Sequence, residues 1–254
     1  MNRQIEIKTA DGLARAGLFR PDEGQAFTEG AVTGGAAAAP GVIFYMDGIG
    51  PRKALDDMAQ RLANAGYVVL LPDLFYRFGD YGPFDASAFS VETTRNQILH
   101  MLRTTTQEMT RRDTGAFLDT LAAEGVTGPI GAVGYCMGGG RALTAAATYA
   151  DRIAAAASFH GGHLASDAPD SPHRQAASIK GRVYVGVAGV DGSFPPEQSA
   201  RLAEALRSAE IDHVIENYAG KGHGWTVPDL GAYDEAGAER HWKRLLEFFG
   251  ETLR

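Results

Sequence analysis

A single cysteine, Cys136, stands among the 254 residues of the sequence. No disulfide can form within the chain, and the dense cysteine framework of small secreted domains is excluded. Long apolar runs are also missing. No stretch approaches the roughly 20 residues that span a bilayer. The opening segment, MNRQIEIKTADG, is polar and alternating and lacks the apolar core of a signal peptide. No membrane partner is expected, and a cytoplasmic location is. Basic residues are in deficit, 24 Lys and Arg against 31 Asp and Glu, for a net charge of −7. These charges are scattered, so nucleic acid, which needs a basic face, is not an expected partner.

What is present reads as an ordinary globular chain, 44% apolar and 22% charged. Its length suits one core, and a single domain over 1–254 is expected. Residues 4–9 alternate apolar and polar, and 13–19 follow the Asp11-Gly12 turn, which predicts an antiparallel β-hairpin. Residues 22–40, rich in Gly, Ala and Thr, are expected to be a flexible surface insertion.

Beyond that point buried-strand runs alternate with helical patterns. The apolar runs 41–47 and 67–73 predict strands buried on both faces, and 129–136, 153–162, 182–191 and 213–220 predict further strands. Helical spacing predicts helices over 51–66, after Cys136, over 195–210 and over 237–253, the last with Trp242, Leu245, Leu246, Phe248 and Phe249 on its packing face. A longer one is expected from a Ser90 cap to about Glu124, broken near Gly115. Such alternation implies a mainly parallel central sheet with helices on both faces.

The sharpest motif is Gly134-Tyr135-Cys136-Met137-Gly138, placed where an apolar strand gives way to a helix. It matches the nucleophile elbow G-x-S-x-G with sulfur in place of oxygen. A turn this tight requires small neighbours, and the helix N-terminus beneath it favours a thiolate and a developing oxyanion. The bland alternative is a buried structural cysteine. A cysteine nucleophile needs a base and a group to orient it. Asp191 follows one predicted strand and His223 the next, in the order nucleophile, acid, base, each at a strand's carboxyl end. Taken alone, Asp191 could equally be a turn or capping residue and His223 a loop histidine. His160 and His163 lie close together, but no cysteine or carboxylate stands at ligand spacing beside them, so no metal is expected.

These residues, with the segments GVIFYMDGIGPRKALDDMAQRLANAGYVVLLPDLFYR, SFHGGHLASDAPDSPH, AGVDGSFPPEQ and GKGHGW, make the chain resemble the dienelactone hydrolase family. The resemblance implies an α/β-hydrolase fold and hydrolysis of a small ester or lactone through a thioester, with no cofactor. The triad would be Cys136, His223 and Asp191. Asp47 would hold the place of a glutamate that contacts the resting thiol, one methylene shorter. The oxyanion hole would use the N–H groups of Gly48 and Met137. Arg77 would match one of two arginines that bind the substrate carboxylate in such enzymes, and Tyr135 and Trp225 are expected to contact substrate. The second arginine's place is held by Val227, which predicts modest or no dienelactone activity and comparatively better turnover of small neutral esters.

Two readings from other classes compete, a non-catalytic ligand-binding protein on the same scaffold and a thiol redox sensor. The second lacks a resolving cysteine. A cysteine esterase for aromatic or alkyl esters is the variant within enzymes. A monomer or small homo-oligomer is expected.

Overall fold

The computed structural model describes residues 2–22 and 39–254. The insertion expected at 22–40 lies almost wholly outside them. Eight strands form one sheet: β1 (Asn2–Thr9), β2 (Gly12–Phe19), β3 (Gly41–Tyr45), β4 (Val68–Pro72), β5 (Ile130–Tyr135), β6 (Ile153–Phe159), β7 (Arg182–Val190) and β8 (His213–Gly222). Their order across the sheet is β1-β2-β4-β3-β5-β6-β7-β8. The N-terminal hairpin is antiparallel, and β2 also meets β4 antiparallel. Every other neighbouring pair, from β4 through β8, is parallel. This is the mainly parallel α/β sheet expected, with its hairpin at one edge.

The strand sequences explain the placement. All residues of β3, β4 and β5 are buried, because Val, Ile, Leu and aromatic side chains project to both faces and helices cover both. Helix α1 (Lys53–Asn64) buries Leu55, Met58, Ala59, Leu62 and Ala63, spaced three and four apart as one stripe. The last helix, α6 (Glu235–Thr252), buries Trp242, Leu245, Phe248 and Phe249 as expected, with Leu246 partly buried. The helix after the elbow, α4 (Met137–Thr148), is buried along nearly its whole length. Among the described residues no helix is long and apolar enough to cross a membrane.

The long helix expected over 90–124 is two helices, α2 (Glu92–Thr104) and α3 (Gln107–Ala123). The break falls at Thr105-Thr106, and Val91, not Ser90, stands at the N-cap of α2. Thr106 leaves helical geometry so that its hydroxyl can accept from the Met109 N–H and cap α3. Gly115 stays within α3, where a Cβ would come within 2.8 Å of the Tyr149 hydroxyl. It is a packing glycine and not a breaker. A fifth helix, α5 (Pro196–Ser208), connects β7 to β8.

Candidate active site

Parallel strands end together, so the loops after β3, β5, β6, β7 and β8 gather at one edge of the sheet. Cys136 sits between β5 and α4 at φ 54° and ψ −117°. A side chain held at positive φ costs of order 1–3 kcal/mol, so the surroundings must impose it. They do so by close packing. A Cβ on Gly134 would lie 1.9 Å from the Gly138 carbonyl oxygen, and one on Gly138 would lie 2.2 Å from the Tyr45 oxygen. The first turn of α4 is therefore pressed against the end of β3.

His160, after β6, adds a constraint that sequence reasoning passed over. The Cys136 N–H is 3.1 Å from the Phe159 carbonyl and 3.1 Å from His160 Nδ1. With Nδ1 accepting, His160 Nε2–H donates to Thr226 Oγ1 at 2.8 Å. The ring thus ties the elbow to the loop that carries His223. Burial, with His223 and His241 adding to it, holds His160 well below the ordinary histidine range, so it stays neutral. Both of its nitrogens are engaged within the protein.

His223 Nδ1 lies 2.6 Å from Asp191 Oδ2. The other carboxylate oxygen, Oδ1, accepts from the Ser193 N–H at 2.8 Å and the Ser193 hydroxyl at 2.7 Å. Burial raises an isolated aspartate, but the bonds from His223 and Ser193 outweigh it and lower Asp191 to about 2. On His223, burial opposes the charged ring. The hydrogen bonds to Asp191 and to the Cys136 sulfur, with their negative charge, outweigh it and raise the ring to about 10. With Nδ1 on Asp191, Nε2 is the nitrogen left to face the sulfur.

Cys136, Asp191 and His223 share a cavity of about 470 Å³ with Met137, Leu99 and Leu102. The structure thus brings these three expected residues to one cavity, and Met137 lines the same space. Gly48 is buried beside Leu102, where a Cβ would approach within 2.9 Å of the Leu102 side chain.

Four other expected residues are placed differently. Asp47 is committed to Arg52 and to its own loop. Its Oδ1 accepts from the N–H groups of Ile49 and Gly50 and from Arg52 Nη1 at 2.8 Å, and its Oδ2 from Arg52 Nη2 at 2.9 Å. The shorter side chain is claimed by the loop that follows it. Arg77 is committed to Asp113, through Nη1 and Nη2 at 2.9 and 2.8 Å, and to Asp11. It does not line the cavity. Tyr135 is buried beneath the elbow, its hydroxyl 2.9 Å from His241 Nε2 and its ring stacked on Phe44. Trp225 is buried against Tyr218 and His160. Both support the site from below and do not reach substrate space. Val227 is buried outside the cavity too, so it supplies no apolar wall facing a substrate. The sequence reasoning missed His163 and Ser193, which line the cavity, and Arg141.

A nucleophile on a strained strand-to-helix turn, followed by an acid and a histidine after later strands of a parallel sheet, defines an α/β-hydrolase. The family model for the "Dienelactone hydrolase family" matches residues 29–253, and the chain belongs to that family. It is a carboxylic ester hydrolase of the dienelactone hydrolase type. A "Putative carboxymethylenebutenolidase" of Salmonella typhi is 27% identical over 256 residues, covering 96% of this chain and 90% of the relative. The "Carboxymethylenebutenolidase" of Rhodococcus opacus is 28% identical over 218 residues, covering 84% and 81%. A crystal structure from Klebsiella pneumoniae subsp. pneumoniae MGH 78578, titled "Putative Dienelactone Hydrolase", superposes with a TM-score of 0.81. That likeness covers 99% and 98% of the two chains at 20% identity, and it establishes the shared fold.

Proposed function

We propose that the protein cleaves a small-molecule ester or lactone through attack by the Cys136 sulfur and a thioester intermediate. The observation that carries this reading is the convergence on one cavity of Cys136, His223 and Asp191, with 2.6 Å between His223 Nδ1 and Asp191. His223 Nε2 takes the thiol proton, and the sulfur adds to the carbonyl carbon. The new oxyanion points to the N–H groups of Gly48 and Met137, an interaction commonly worth several kcal/mol in such sites. As the intermediate collapses, the ester C–O bond breaks and the imidazolium gives its proton to the leaving alkoxide. Water then adds to the thioester with His223 as base. The C–S bond breaks, and the sulfur recovers the proton. Asp191 remains ionised throughout, holding the ring and balancing its charge.

Every proton and charge in this scheme is handled by the chain's own groups. His160, held neutral, adds no second positive charge beside the imidazolium. The triad explains the reaction class, whereas Asp47, Arg77 and Val227 do not define a substrate.

The test is a panel of p-nitrophenyl esters and lactones assayed with wild type, Cys136→Ala and His223→Ala. Cys136→Ala is expected to fall to background with a native melting temperature, and His223→Ala to lose on the order of 10³–10⁴-fold. Turnover retained by folded Cys136→Ala overturns the nucleophile assignment. Tight ligand binding with no hydrolysis of any substrate by wild type favours the non-catalytic reading.

A further inference from the structure

The cavity beside Cys136 contains a buried cation that the scheme above does not use. Arg141 lies in the second turn of α4 and is only 6% exposed. Its one hydrogen bond runs from Nη2 to the Thr105 carbonyl oxygen at the break between α2 and α3. Its Nε and Nη1 are buried without a partner. A guanidinium presents five N–H donors in a fixed plane, so most of this one's capacity is unspent.

The charge is poorly compensated as well. Burial lowers Arg141 to about 10, against the weaker opposing pull of Asp170 and Tyr45. At neutral pH it still carries its charge. Asp170 lies exposed on the cavity wall, and the other lining aspartate, Asp191, is committed to His223. The position is also unfavourable for a cation, because the N-terminal end of α4 already carries positive potential. A buried charge without an ion-pair partner normally costs several kcal/mol. An anion brought in with the substrate would relieve that cost.

Other parts of the cavity fit the same occupant. Gln107, at the start of α3, also lines it, and its side-chain NH₂ is the end that can donate to a carboxylate. Arg103, exposed on α2, contributes a second positive charge to the wall. Arg141 follows Cys136 by five residues along one helix, an axial rise of about 7.5 Å at 1.5 Å per residue. The two are fixed relative to each other by a single buried element.

We infer that Arg141 is the specificity-determining cation of this site, and that it anchors a carboxylate on the acyl part of the substrate while the ester or lactone carbonyl lies at Cys136. The anchor stands at the break between α2 and α3, and neither Arg77 nor Val227 lines the cavity. It reverses the neutral-ester preference expected from the sequence. The inference rests on the reading of Cys136 as the nucleophile.

The test compares matched anionic and neutral probes. Hydrolysis of p-nitrophenyl hemiglutarate is measured against p-nitrophenyl butyrate in wild type and Arg141→Met. Alkylation of Cys136 by iodoacetate is measured against iodoacetamide, each rate normalised to glutathione; sulfur displaces iodide in both, so no ester chemistry is involved. Wild type is expected to favour the anionic member of each pair, and Arg141→Met to lower both anionic-to-neutral ratios about tenfold or more. Ester hydrolysis that depends on Cys136, with neither ratio moved by Arg141→Met, overturns the anchor and leaves the proposed function standing. Absence of hydrolysis with an Arg141-dependent iodoacetate preference does the reverse. If Arg141→Met fails to fold, Arg141→Gln, which can still donate to Thr105, repeats the comparison. A wild-type iodoacetate ratio no greater than that of glutathione overturns the anchor without any variant.

Discussion

Of the three residues brought together at the cavity, His223 and Asp191 are pushed in opposite directions. His223 is raised to about 10, with burial opposed and outweighed by Asp191 and the Cys136 sulfur, and Asp191 is lowered to about 2. A histidine raised by its partners contributes stability that is full below its unfolded value near 6.5 and is lost as pH rises through about 10. The depressed aspartate contributes stability present above about 4 and lost as pH falls toward 2. The pair is therefore intact over a broad neutral window. We expect kcat/KM to decline as pH rises through about 10, when the ring can no longer protonate the leaving group. Asp191→Asn should move that alkaline limb toward neutral pH, which a pH–rate series on both proteins will measure. An unmoved limb would show that another group controls it. The meeting of Cys136, His223 and Asp191 was legible in the sequence because all three stand in local motifs at strand ends. Asp47, Arg77, Tyr135 and Trp225 were legible as neighbours of the site but not in their orientation. That depends on partners elsewhere in the chain: Arg52 for Asp47, Asp113 for Arg77, His241 for Tyr135, and Tyr218 and His160 for Trp225. Arg141 had one overlooked signal, a lone charge inside the small-residue helix GGGRALTAAATYA.

At the scale of elements, the contact between α4 and β3 sets the geometry of Cys136. Gly138→Ala would drive a methyl to within 2.2 Å of the Tyr45 oxygen and 2.6 Å of the Met46 oxygen. Backbone cannot yield as a side-chain tip can, so we expect a loss of at least about 1–3 kcal/mol. Activity should fall even where the fold survives, because Cys136 and Met137 move with the turn. A Gly138→Ala protein with native stability and turnover would contradict this packing. The loop after β3 is held by a second device. Arg52 bonds Asp47 on one side and Asp229, six residues past His223, on the other. The Arg52 and Asp47 side chains are only 6% and 3% exposed. Arg52→Ala leaves a buried carboxylate without its cation and should cost about 3–5 kcal/mol in chemical denaturation. The strands and most helices were readable from periodicity. The break at Thr105-Thr106 was not, because a capping threonine and a packed glycine compete for the same interruption and only the contact with Tyr149 decides between them.

For the whole molecule, the parallel order β4-β3-β5-β6-β7-β8 makes six strand ends converge, and this convergence brings distant motifs to one cavity. The antiparallel hairpin forms one side of the sheet and is fastened by charge. Arg77 joins Asp11, in the hairpin turn, to Asp113 on α3. With Asp113 only 1% exposed, Arg77→Ala should cost about 3 kcal/mol, or roughly 6–12 °C in melting temperature for a chain of this size. Its effect on substrate discrimination should be small beside that of Arg141→Met; a change in KM for anionic esters without loss of stability would restore Arg77 to the substrate site. The central claim concerns a bond to sulfur, and the single cysteine allows it to be tested on the intact chain. Rapid acid quenching of the enzyme turning over a p-nitrophenyl ester, followed by intact-mass and peptide mass spectrometry, is the direct measurement. The expected result is one added acyl group, located on Cys136, released by hydroxylamine and absent from Cys136→Ala. Turnover without that adduct in Cys136→Ala, or an acyl group carried on any other residue, would contradict the account.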